Sequence, residues 1–224
     1  MPQIEFAKPA FDVGFATNEL TGFRALLEDQ AGLTYDHLAK LGGGFHQHRW
    51  AIGDSIVKVN HTRTPLPETP AGGYRALTLL SQKTADLRTA DGTPIHLRPS
   101  AGADLTLHAE CADLDAFARF YGERLSLAAD GPGAFRLGGS RIVATAGPAP
   151  ARAGWRERGL RYMTVQIFDC DALTASLEAQ GVEIGQPPRT LGQVRYSFVR
   201  DPDGNWIELS ERASLTGKPV RQDC

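Results

Sequence analysis

A chain of 224 residues, 42% hydrophobic and 22% charged, has an ordinary globular composition and the length of one large domain or two small ones. Its formal net charge of -2, with no basic run, argues against nucleic-acid binding, and no apolar stretch approaches the roughly 20 residues of a membrane-spanning helix. Cys111, Cys170 and Cys224 are odd in number and lack CxxC spacing, so they read as reduced thiols rather than a disulfide framework or zinc site. With no basic then apolar export signal at the N-terminus, a cytoplasmic protein is expected.

Residues 11–17 (FDVGFAT) read as a strand, and residues 19–33 as an amphipathic helix with Leu20, Phe23, Leu26, Leu27 and Ala31 at helical spacing. Gly42-Gly43-Gly44 breaks the chain before a strand at 45–52 (FHQHRWAI), and Gly53-Asp54 turns it into another at 55–61 (SIVKVNH). The same order recurs at 105–146. LTLHAEC is the strand, Asp113 caps a helix, and a Gly138-Gly139 turn closes a hairpin. It recurs again from Leu160, with Asp169 as the cap, and finishes with residues 196–212, YSFVRDPDGNWIELSER. There the Asp201-Pro202-Asp203-Gly204 turn joins two strands, and period two puts Trp206, Glu208 and Ser210 on one face and Ile207 and Leu209 on the other.

Residues 73–97 match the two ends of the last unit, with His96 in the place of Glu208, but 81–88 is too short for a helix plus strands. Strand–turn–strand is expected there, with His96 turned inward. Linkers cover 62–72, with Pro65, Pro67 and Pro70, and 147–159, rich in Pro, Ala and Arg, and the polar tail 213–224 is expected to fray.

A strand running into Asp-Leu-Asp before a helix, followed by strands ending in DPDGN-x-IEL, resembles the vicinal oxygen chelate superfamily, the glyoxalase, extradiol dioxygenase and bleomycin-resistance group. The resemblance implies an α+β fold of repeated βαβββ units curled into two cup-shaped sheets. These are expected over 8–99, with its second unit lacking the helix, and over 103–212, followed by the tail 213–224. It also implies a divalent metal held by first-strand and last-strand ligands and acting as a Lewis acid on substrate oxygens.

Carried over residue by residue, that set is incomplete. Glu208 matches the last-strand carboxylate, but Thr106 and Tyr162 stand at first-strand positions, Asp12 takes a histidine slot, and Lys58 stands near the first unit's carboxylate position. His108 shares a face with Thr106 and is either a metal ligand facing Glu208 or a hydrogen-bonded core residue. Tyr162 is either a donor to a ligand oxygen or a packing ring. His46 and His48 are expected to line a cup, and His96 to line the first cup with Asp12.

The principal pocket is expected in the second cup, lined by Thr106, His108, Tyr162, Gln166, Trp206 and Glu208, with Glu208, Tyr162 and His108 as catalytic groups. Glu208 and His108 are the candidate ligands for a divalent metal of unassigned identity, the alternative being no metal. Two functions follow: an enzyme acting on an oxygen-rich metabolite, or a metal-free binding or resistance protein that sequesters its ligand. The expected partner is a small molecule, with neither nucleic acid nor membrane, and the chain is expected as a monomer or homodimer.

Overall fold

The computed structural model describes residues 4–99 and 102–223, so Cys224 lies outside the described residues. Four units follow one another. The first holds β1 (Phe6–Thr17), α1 (Leu20–Arg24) with a π-helical continuation over Ala25–Gln30, β2 (Thr34–Gly42), β3 (Phe45–Ile52) and β4 (Ser55–His61). The second has only β5 (Tyr74–Leu80), β6 (Ala85–Arg88) and β7 (Pro94–Arg98), without a helix, as its length dictates. The third comprises β8 (Leu105–Cys111), α2 (Leu114–Ala118) with a π-helical continuation over Arg119–Arg124, β9 (Ala128–Ala129), β10 (Ala134–Leu137) and β11 (Ser140–Ala146). The fourth comprises β12 (Gly159–Ile167), α3 (Cys170–Ala179), β13 (Ile184–Leu191), β14 (Val194–Arg200) and β15 (Trp206–Arg212), before the short α4 (Ala213–Thr216).

The helix starts are set locally. Asp113 accepts hydrogen bonds from the backbone N–H groups of Asp115 and Ala116, and Asp169 accepts one from Ala172. Each carboxylate satisfies donors that a helix N-terminus leaves open.

The strands form two curled sheets, of the α+β class expected. The first has eight strands in the order β13-β14-β15-β12-β1-β4-β3-β2, the second seven in the order β6-β7-β5-β8-β11-β10-β9. In both, the first strand of each unit pairs in parallel with that unit's last, and two first strands meet antiparallel at the centre. The unit pairing differs from the expected cups over 8–99 and 103–212: units one and four build one sheet, units two and three the other. Connector length accounts for this. Extended at about 3.3 Å per residue, the linkers 62–72 and 147–159 reach about 36 and 43 Å and cross between sheets, whereas the short link after β7 keeps units two and three together.

One apolar cluster packs helix residues Phe23, Leu27, Phe117 and Leu177 against Val13, Leu77, Leu107 and Ile207 from both sheets. A second, aromatic cluster of Tyr162, Phe198 and Trp206, with Trp155 and Tyr196 against it, occupies the opposite face of the eight-stranded sheet. The tail is docked rather than frayed. Asp223 accepts from Thr190 N–H and pairs with Arg195, and Val220 is buried. Both free cysteines described, Cys111 and Cys170, are buried, and among the described residues no helix is long and apolar enough to cross a membrane.

Candidate functional site

Strand alternation sends β1, β4, β12 and β15 side chains into the cup of the eight-stranded sheet. Asp12 lies opposite Thr164, and Thr164 beside Glu208. Lys58 comes from β4 on the far side of β1. Its ammonium donates to Glu208 Oε2 at 2.9 Å and to Thr164 Oγ1 at 2.7 Å, and lies 3.6 Å from Asp12 Oδ2. Thr164 Oγ1 donates in turn to the same Glu208 oxygen at 2.6 Å. Asp12, fully buried, also pairs with Lys8 and accepts from Ile56 N–H and Gln166 Nε2.

Burial opposes the charges of Asp12 and Lys58. It would raise the Asp12 carboxyl, but Lys58 and Lys8 overcome it and hold the group below the usual carboxylate range. Burial lowers Lys58 from the ordinary lysine value against the pull of Glu208 and Asp12. Burial raises the Tyr162 phenol, and Glu208 adds to this, so the hydroxyl stays protonated.

Tyr162 needs a gap in the neighbouring strand. A Cβ at Gly14 would stand 2.0 Å from its Cζ, so glycine lets the ring lie across β1. The phenol oxygen accepts from Asn60 Nδ2 at 2.9 Å and from Gln47 Nε2 at 3.3 Å, and Arg49 bonds Gln47. Gly14→Ala is expected to displace the ring and cost about 1–3 kcal/mol by overpacking, read from the urea midpoint. An unchanged midpoint would show that the ring has room to move.

A cavity of about 150 Å³ opens above this floor, lined by Gln47, Lys58, Tyr162 and Glu208 below and by Trp155, Tyr196, Phe198 and Arg212 among the groups above. Trp155 stacks on Phe198 at 4.9 Å between centroids.

Of the residues expected to converge, Tyr162, Gln166, Trp206 and Glu208 do share this sheet. Trp206 does not line the cavity but packs edge to face on Phe198, its indole N–H donating to Ala153 O at 2.7 Å, and Gln166 holds Asp12 below the floor. Thr106 and His108 do not join them. Both sit on β8 of the other sheet, where His108 bonds Thr78 at 2.8 Å, because unit three pairs with unit two. Burial and His96 lower the His108 imidazole. His96 meets Asp86 at 2.6 Å on the seven-stranded sheet, half-exposed, and cannot line a cup with Asp12. His46 and His48 lie one residue out of phase. Gln47 and Arg49 are the buried, cup-facing residues of β3, while His46 is exposed and His48 bonds Tyr35 on the opposite face.

Sequence reasoning missed Lys58, Thr164 and Asn60 as site residues. A charge flanked by apolar residues in the middle of SIVKVNH was the available signal. Trp155 and Arg156, in a linker, carried none.

The metal implied by resemblance does not fit these donors. The two expected ligands, Glu208 and His108, stand on different sheets, and the cation beside Glu208 is the Lys58 ammonium. Among the described residues, no group of three His, Cys, Asp or Glu could hold a metal ion.

No curated protein matches the sequence. Glyoxalase I from Zea mays superposes with a TM-score of 0.71 at 12% identity, over 89% of this chain and 91% of that one. The cppA protein from Streptococcus pneumoniae gives 0.59 at 8% identity, over 93% and 99%. The sequence profile of the Glyoxalase/Bleomycin resistance protein/Dioxygenase superfamily matches residues 109–209. By that match the stretch 109–209 is similar to the glyoxalase, bleomycin-resistance and dioxygenase superfamily, and the two curled sheets of the whole chain have the fold of glyoxalase I.

Proposed function

We propose that the protein is a small-molecule enzyme of the vicinal oxygen chelate type whose active site is the cup of the eight-stranded sheet. The observation that carries this reading is Glu208. It sits at the cavity floor with one oxygen held by both Lys58 and Thr164, which leaves Oε1 to the ligand. The chemistry these groups support is proton transfer at a carbon next to a carbonyl. Glu208 takes the proton, the C–H electron pair moves to the carbonyl oxygen, and the Lys58 ammonium and Tyr162 hydroxyl stabilise the enolate until the proton returns. Lys58 thus supplies from the chain itself the positive charge such an oxyanion needs.

The aromatic wall of Trp155, Tyr196 and Phe198 favours a second reading, a protein that sequesters its ligand. One substitution separates the two, because Glu208→Gln keeps the shape and removes the base. The test incubates the protein in D2O with a panel of 2-oxo acids and hydroxyketones and follows deuterium at carbon by NMR. The enzyme reading expects exchange that Glu208→Gln lowers at least about 100-fold, the lower range of general-base catalysis. Exchange unaffected by the substitution, or none above background, would leave sequestration as the reading to keep.

A further inference from the structure

The upper wall of the cavity is more cationic than its floor requires. Lys40, Arg156 and Arg212 line the cavity together with Lys58 in the floor, against a single carboxylate, Glu208. Lys58 is committed to that carboxylate. Among the described residues, Lys40, Arg156 and Arg212 make no ion pair and no side-chain hydrogen bond. Arg156 lies over the rings of Trp155 and Phe45, at 4.5 and 5.4 Å from their centroids. Arg212, half-buried at the end of β15, is lowered first by burial and then by the neighbouring Arg49 guanidinium. A guanidinium taken out of water beside another cation, with its donors unmatched, is costly unless an anion arrives.

Beside these cations stand flat apolar groups. Trp155 and Phe198 stack, Tyr162 and Trp206 meet Phe198 edge to face, and Leu41, Leu191 and Val194 complete the rim. Planar cations over planar rings are suited to a carboxylate carried on an aromatic body, since a guanidinium pairs a carboxylate through two parallel N–H bonds.

We infer that the ligand of this cup is an aryl carboxylate, its ring against Trp155 and Tyr196 and its carboxylate on Arg212 and Arg156. This rests on the cup being the active site, and it names the substrate class without depending on the reaction there. The test is calorimetric titration of the full-length protein with 2-naphthoate and with 2-naphthalenemethanol, the same ring without the charge. Naphthoate is expected to bind about tenfold more tightly or better, the worth of one charge-assisted hydrogen bond. The gap should close in Arg212→Ala and narrow as salt rises, while Arg212→Lys keeps part of it. Circular dichroism checks that the variants fold, and the salt series on the unaltered protein provides the same reading if Arg212→Ala does not.

Equal affinity for the two probes, a gap that survives both Arg212→Ala and high salt, or no naphthoate binding at millimolar concentration would overturn the inference. Glu208→Gln is expected to leave the naphthoate preference in place. A protein that prefers naphthoate yet shows no Glu208-dependent exchange therefore keeps the anion site and loses only the acid–base reading.

Discussion

Replacing Lys58 with methionine is expected to cost about 3–5 kcal/mol of folding stability, the range for breaking a buried ion pair from one side. The Lys58 side chain is 1% exposed and the Glu208 side chain 14%, and Asp12 is wholly buried. Without the ammonium, Glu208 keeps only the Thr164 hydroxyl, and Asp12 depends on Lys8 for its nearest cation. Urea denaturation of Lys58→Met measures the loss. The double variant Lys58→Met/Glu208→Leu should recover a large part of it, because the carboxylate left without its cation is gone as well. A midpoint unmoved by the single substitution would mean that Lys58 does not anchor the floor.

Asp201→Ala should be comparably damaging, and for a reason remote from the cup. The carboxylate opens the DPDGN turn and accepts from the backbone N–H groups of Asp203 and Asn205, from Asn205 Nδ2 and from the Tyr121 hydroxyl, itself bonded to Tyr74. Truncation strands several buried donors at about 1–3 kcal/mol each, so a loss of at least about 3 kcal/mol is expected. The pH dependence has a definite sign. Burial raises Asp201 from 3.8 to about 6 despite those hydrogen bonds, so between these values the folded protein binds more protons than the unfolded chain. The stabilising contribution of the carboxyl is therefore complete below about pH 4 and declines as pH rises through about 6. The stability gap between wild type and Asp201→Ala should be widest near pH 4 and narrow towards pH 7. A gap that widens with pH would contradict the assignment.

What could be read from the sequence was local. Asp113 and Asp169 announce helix starts, and Asp201 to Gly204 a turn, because cap and turn chemistry acts within a few residues. The opposed faces of Trp206-Ile207-Glu208-Leu209 follow from alternation alone. Where alternation is blurred, the reading failed. In FHQHRWAI, Phe45, Gln47, Arg49 and Trp50 are all buried, so polarity does not say which set faces the cup, and a shift of one residue exchanges the histidines for Gln47 and Arg49. The pairing of units was hidden for a different reason. Glu208 meets Lys58 across a separation of 150 residues, and no feature of either strand names its partner. His108 stands opposite Glu208 only if tandem units share a sheet, and β8 and β15 belong to different ones. The tail 213–224 reads as polar, and its anchoring through Val220 and Asp223 is invisible until Arg195 is seen beside it.

The nesting of the two sheets imposes an order on synthesis. The seven-stranded sheet is drawn entirely from residues 74–146, a continuous stretch in which every strand finds its partners before the last unit has been made. The eight-stranded sheet closes only when β12 reaches β1 from the far end of the chain, a contact of high sequence separation and slow loop closure. A nascent chain therefore carries β1 paired with β4 on one side and open on the other until β12 has been made. A fragment ending before Glu208 keeps Asp12, Lys58 and Thr164 but lacks the carboxylate that pairs with Lys58 and faces the cavity, so the charged floor is completed only by the last strand of the chain.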